Sequence, residues 1–322
     1  MSQRAVGPLA WATLLGTFVL NLQGTLLRAT GSGDGCGTDW PTCHGEVVPV
    51  DPEFATLLEF GHRLLTIVVG LLGLALLVAA VRHRRALPGV LPAVAVAALF
   101  FVAQSLVGAF TVLRGLTGES TDPLRAIILP LHLVNSFTQL GALVLAVRAS
   151  SRQPAGRWRL TGRRAVATVL AVATLAFYGL IFTGGVAALG NLFAPVDTLA
   201  EGVALDFSPD APWVVRVRVV HPALAALLGA GLLLATLALA GLGRTARARR
   251  AAARLGVVYL VQLGVGTWNL LALAPLPLSL AHQALAMLAF ALFVDLIALT
   301  LGESGDPEEA TAHRVAARAT TG

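Results

Sequence analysis

The chain has 322 residues, 56% of them hydrophobic and only 12% charged, with a mean hydropathy of +0.78. Soluble domains carry about 25% charged residues, so the composition excludes a water-soluble globular protein and indicates an integral membrane protein. All 23 basic residues are arginine, and with a net charge of +6 they bear on membrane orientation and not on nucleic acid.

A hydrocarbon layer about 30 Å thick needs about 20 apolar residues of helix. That ruler predicts an all-α protein with eight spans, at 8–27, 57–81, 90–113, 126–147, 165–187, 214–241, 252–273 and 276–300. The first begins close to Met1 and lacks a small-residue cleavage pattern, so it is expected to be a retained helix and not a signal peptide.

Arginines cluster between spans two and three (82–85), four and five (148–164) and six and seven (244–254); with Arg4, Arg314 and Arg318 they put 17 of the 23 on one side. The positive-inside rule makes that side the cytoplasm, with both termini inside. The outer side receives the 28–56 loop, the 114–125 connector, an acidic 188–213 loop and a tight turn near Pro275 and Pro277. The tail 303–322 is polar without an apolar face and is expected to be disordered.

The chain repeats itself. Gln-Ser-Leu-Val-Gly at 104–108 returns as Gln-Leu-Gly-Val-Gly at 262–266; His62 and His221 are 159 residues apart, and His132 and His282 are 150 apart. Two four-helix units in the same orientation are expected, 1–150 and 151–302.

Each of those four histidines lies about five to seven residues in from the outer end of an even-numbered span, at a shared depth of about 8–10 Å. A single histidine there reads equally well as a hydrogen-bonded interfacial group, but four at matched depth in duplicated positions point to a ligand layer. Imidazole is a common haem-iron ligand, and facing helices of a bundle hold macrocycles, so two sites are expected, His62 with His132 and His221 with His282. No HExxH zinc motif and no CxxCH motif for covalent haem attachment is present.

Six arginines fall outside. Arg125 and Arg218 each share a helical face with their histidine, and Arg63 adjoins His62, which suits pairing with haem propionates; snorkelling to lipid headgroups is the alternative, most of all for Arg114 and Arg216. Glu59 lies three residues before His62, either as a helix-start carboxylate favoured by the macrodipole or as a proton-handling group beside a bound macrocycle. Its second-half counterpart is Arg218, so the two sites differ and the first is the expected reaction site. Cys36 and Cys43 lie in the oxidising outer loop. A disulfide there is expected mainly as a staple contributing about 2–3 kcal/mol, with a redox role as the alternative.

The stretch GTLLRATGSGDGCGTDWPTC (24–43) followed by EFGHR (59–63) resembles the haem A synthases, a resemblance that extends over about 1–300. It implies oxidation of the ring C8 methyl of haem O to a formyl, giving haem A for cytochrome c oxidase. It further implies that His62 and His132 face the substrate haem, that Glu59 is the essential acid, that His221 and His282 ligate a haem b cofactor, and that Cys36 and Cys43 pair. Haem O synthase and cytochrome c oxidase assembly factors are the implied partners, and a bacterial-type plasma membrane the location; an oligomer of identical copies is compatible with the sequence. Some family members carry a second cysteine pair between spans five and six, which 188–213 lacks. Rival readings are a di-haem b quinol oxidoreductase and a haem transporter or chaperone.

Overall fold

The computed structural model describes residues 3–151, 164–229, 231 and 246–302. Among them all regular structure is helical apart from an isolated bridge between Cys43 and Glu46. In chain order the helices are α1 (Val6–Ala29), α2 (Phe54–Arg82), α3 (Val90–Leu113), α4 (Arg125–Ser150), α5 (Arg164–Phe193), α6 (Leu199–Asp206), α7 (Trp213–Arg216), α8 (220–229), α9 (Ala246–Leu271) and α10 (Leu276–Leu301). Six described helices, α1 to α5 and α10, are long and apolar enough to cross a membrane.

The helices show the polarity of a protein solvated by lipid. Leu57, Leu64, Ile67, Leu71, Leu74 and Val78 of α2 are all more than half exposed, whereas Thr13, Thr17, Ser136 and Gln139 are buried. Apolar side chains lose nothing by facing hydrocarbon, so helix association there rests on close packing and on polar groups that bond across helices. The Ser136 hydroxyl donates to Asn21 Oδ1 at 2.5 Å, tying α4 to α1. Gly141 and Gly185 allow close approach elsewhere: a Cβ on them would stand 3.1 Å from Phe290 and from Pro130 respectively.

α4 and α10 lie at the centre of the helix packing. α4 packs on α1, α3, α5 and α10, and α10 packs on α9, α4, α1 and α5. Phe137, Phe177, Phe290 and Phe293 interlock there, with ring centroids 4.9–5.7 Å apart. Such pairs contribute about 0.5–1.5 kcal/mol each beyond area burial. Arg148 of α4 bonds Asp295 of α10 at 3.0 Å.

The expected span 214–241 differs at its start, and its end lies outside the described residues. The chain makes the short α7, turns over 217–219, and begins α8 at residue 220, so His221 sits in the first helical turn instead of several residues in. Pro222 has no backbone N–H to continue helical bonding to the preceding turn, and it sits in the first turn of α8, where proline is best accepted. The expected tight turn before Pro275 is present, with Leu273 and Ala274 both at positive φ (62° and 56°). A backbone bond from Ala274 to Asn269 at 2.7 Å holds it. The tail 303–322 lies outside the described residues.

Candidate functional site

Each of the four histidines lies against a glycine of the preceding long helix. A Cβ on Gly24 of α1 would stand 3.4 Å from the His62 ring, on Gly108 of α3 3.9 Å from His132, on Gly184 of α5 3.0 Å from His221, and on Gly266 of α9 2.7 Å from His282. A small residue at that level lets the imidazole lie along the neighbouring helix. All four rings are partly buried, so they line clefts and do not fill a core.

Polar neighbours orient three of the rings. Gln104 Nε2 is 3.1 Å from His132 Nε2, and Gln262 Nε2 is 3.3 Å from His282 Nε2. Thr183 Oγ1 is 3.3 Å from His221 Nδ1. The repeated Gln-x-x-Val-Gly motif is therefore the seat of the histidine on the next long helix: its glutamine meets the ring nitrogen and its glycine makes room for the ring. The sequence carried the signal as a repeat, but the contact it makes needed the fold.

His221 and His282 come together, with ring centroids 6.2 Å apart and planes at 87°. Two axial imidazoles on one iron have ring centres about 6 Å apart, since a metal–nitrogen bond is about 2 Å and the ring centre lies about 1.2 Å beyond the nitrogen. The separation of the second pair is therefore of the order two imidazoles on one metal ion would have, while in this structure His282 Nε2 faces Gln262 and His221 Nδ1 faces Thr183. His62 and His132 stand on α2 and α4, which lean on α1 and α3 and share no extensive packing with each other. The buried Nδ1 atoms of His62, His132 and His282 have no hydrogen-bond partner, as expected of rings whose surroundings are completed by something other than protein. Among the described residues no cluster of three His, Cys, Asp or Glu offers an alternative metal site.

Glu59 is 2% exposed and is held at both oxygens. The Cys36 backbone N–H donates to Oε2 at 2.8 Å, and the Arg63 guanidinium donates to Oε1. Arg63 also donates to the carbonyls of Thr42 (2.6 Å) and Pro41 (3.3 Å). Cys36 and Cys43 are joined in a disulfide, so the stapled loop is fastened to the first turns of α2 through Glu59 and Arg63. The Thr56 hydroxyl adds a 2.6 Å bond to the Gly35 carbonyl.

The other two candidate arginines are held differently. Arg218, 8% exposed, donates to Asp206, to Asn191 Oδ1 at 3.3 Å and to the Gly202 and Ala194 carbonyls. Most of its donors are spent within the protein. Arg125, 2% exposed, donates to the Ser120 carbonyl at 2.6 Å and lies over the Phe193 ring, while its buried Nε has no partner. Spacing placed Asp206 twelve residues before Arg218 in a loop, so this ion pair was not readable from helical periodicity.

The model of a family described as cytochrome oxidase assembly protein, COX15-CtaA, matches residues 8–294. The chain belongs to this family. It is 37% identical over 309 residues to a protein of Thermus thermophilus named protohaem IX farnesyltransferase, a match covering 92% of this chain and 50% of that one. It is 34% identical over 136 residues to the haem A synthase of Shouchella clausii, covering 42% of each, and 37% identical over 136 residues to that of Alkalihalophilus pseudofirmus, covering 41% and 42%. The chain thus spans about half the length, or less, of the curated relatives it matches.

Proposed function

We propose that this protein is a haem A synthase, oxidising the ring C8 methyl of haem O to the formyl of haem A for cytochrome c oxidase. The observation that carries it is the duplicated histidine layer in which only the first copy has a buried acid beside it, Glu59 next to His62. Two alike sites would suit a relay; two unlike ones suit a reaction at one and electron storage at the other.

In this reading eight helices cross the membrane, 1–150 and 151–302 form parallel four-helix halves, and both termini face the cytoplasm. His62 and His132 hold the substrate haem. His221 and His282 hold haem b, a reading supported by the 6.2 Å between their ring centroids. Haem b, when bound, supplies a one-electron carrier for a conversion that removes four electrons in total. Glu59 is held in place by Cys36 and Arg63, so its carboxylate is oriented before substrate arrives and can take up a proton or position a water at the methyl. Of the propionate partners, Arg125 has the most donors to spare, Arg63 retains some, and Arg218 would have to release protein partners.

Haem O synthase is the proposed supplier of substrate. Support comes from the Thermus thermophilus relative: it is twice the length of the stretch it shares with this chain and is named for farnesylation of protohaem, which generates the farnesylated haem this reaction consumes.

The test is mass identification of haems extracted from the purified protein, expressed with and without haem O. Haem b alone without haem O, joined by oxidised haem O or haem A with it, supports the synthase. Two equivalents of unchanged haem b under both conditions would replace it with an electron-transfer protein.

A further inference from the structure

Two histidines filling both axial positions of a substrate haem would hold it as firmly as a cofactor, yet a substrate must enter and its product leave. The first half of the molecule contains a device that addresses this. The Asn135 side-chain N–H₂ donates to the Phe100 carbonyl at 2.8 Å and to Gln104 Oε1 at 2.6 Å. A backbone carbonyl is an acceptor only, so it fixes which end of the Asn135 amide is the donor, and that in turn fixes Gln104 with its own N–H₂ facing His132 Nε2 at 3.1 Å. The result is a chain anchored on the Phe100 carbonyl: Asn135 donates to it and to Gln104, and Gln104 turns its N–H₂ to His132 Nε2, which accepts in the tautomer that carries its proton on Nδ1 and so engages the lone pair the imidazole would otherwise offer to iron.

The second half has the same glutamine without the lock. Gln262 Nε2 faces His282 Nε2 at 3.3 Å, but its buried Oε1 has no partner. The position three residues after His282, matching Asn135 after His132, is Leu285. An amide already oriented by a neighbour donates without the entropy cost of being ordered first, and leaves no buried carbonyl unpaired when it does so. His132 therefore has a prepared resting place off the iron, and His282 has a poorer one.

We infer that Asn135 and Gln104 form a clasp that receives His132 Nε2 and makes it the exchangeable ligand of the first site, while Leu285 in the corresponding place leaves His282 a lasting ligand of the second. Gln104 and Asn135 are positioning residues here, acting through His132. The inference rests on the haem reading of the two histidine pairs, and it goes beyond that reading in saying which ligand lets go and what catches it.

The experiment loads the full-length protein with haem b as a probe and follows the rate at which cyanide enters the ferric iron, read from the Soret band. A His221→Ala background isolates the first site and a His62→Ala background the second. Asn135→Leu should slow cyanide entry at the first site about five- to tenfold, the worth of one well-placed hydrogen bond. The reciprocal Leu285→Asn should speed entry at the second site by a similar factor. Gln104→Met, which removes the donor and keeps the volume, should act as Asn135→Leu does. If Asn135→Leu fails to retain haem, Gln104→Met and Leu285→Asn decide the matter.

Rates that stay within about twofold of the parent in these variants, with haem bound in the parent sites, would overturn the clasp and leave the haem reading standing. Absence of bound haem in the unmodified protein would overturn both.

Discussion

The backbone N–H of Cys36 donates to Oε2 of Glu59 at 2.8 Å, so the stapled loop and the acid beside His62 are one structural unit. Replacing Glu59 by Ala would leave the Cys36 N–H and the Arg63 guanidinium without their acceptor in a buried place, at a cost of about 3–5 kcal/mol for a broken buried ion pair. Glu59→Gln keeps an acceptor for one donor and loses the charge. We expect Glu59→Gln to retain haem b and most of its thermal stability in detergent while forming no haem A, and Glu59→Ala to lose stability as well. Product formation by Glu59→Gln at the parent rate would return Glu59 to a purely structural part.

The same bond predicts what reduction does. Opening the Cys36–Cys43 bridge frees the loop that carries the Cys36 N–H, and with it the orientation of Glu59. Cys36→Ser, or a membrane-impermeant phosphine acting on the native protein, is expected to lower haem A formation and leave haem at His221 and His282 untouched. Parallel assays of product and of haem b content check this; equal loss of both would mean that the loop supports the whole bundle.

Much of this was legible in the sequence because hydropathy and periodicity are local. The apolar runs become α1 to α5 and α10 with ends shifted by a few residues, the four histidines sit near the starts of their helices, and the Pro275 turn is where two prolines follow a long helix. What stayed hidden depends on which residues meet across helices. With 33 glycines in the chain, nothing local marks Gly24, Gly108, Gly184 and Gly266 as those that face imidazoles. The break before His221 was masked by the apolar residues on either side of it, and the fastening of Glu59 to Cys36 crosses 23 positions, most of them irregular loop.

Glycine seats of unequal tightness make a graded prediction. A Cβ at Gly266 would lie 2.7 Å from His282, closer than real contacts allow, whereas one at Gly108 would stand 3.9 Å from His132 in ordinary contact. Gly266→Ala must therefore push the imidazole aside, and we expect it to strip haem from the second site though no ligand is changed. Gly108→Ala should leave haem binding at the first site nearly intact. Pyridine haemochrome titration of the two purified variants measures this, and the reverse order of haem loss would disprove the assignment of these glycines as ring seats.

Arg218 separates a structural from a propionate role. Its guanidinium pairs with Asp206 and donates to Asn191 and to the Gly202 and Ala194 carbonyls, so it already binds α6 and the end of α5 to the approach to α8. Removing one member of such a buried pair costs about 3–5 kcal/mol, chiefly from the charge left behind. If that is its main part, Arg218→Ala lowers the unfolding temperature as much in the double variant His221→Ala, His282→Ala, which lacks the proposed ligands of the second site, as in the parent. A propionate contact instead predicts a loss confined to the haem-bound protein. We expect the first pattern for Arg218, and the second for Arg125, whose buried Nε has no protein partner to lose, when Arg125→Ala is compared in the parent and in the first-site double variant His62→Ala, His132→Ala; thermal unfolding of these combinations distinguishes the two roles.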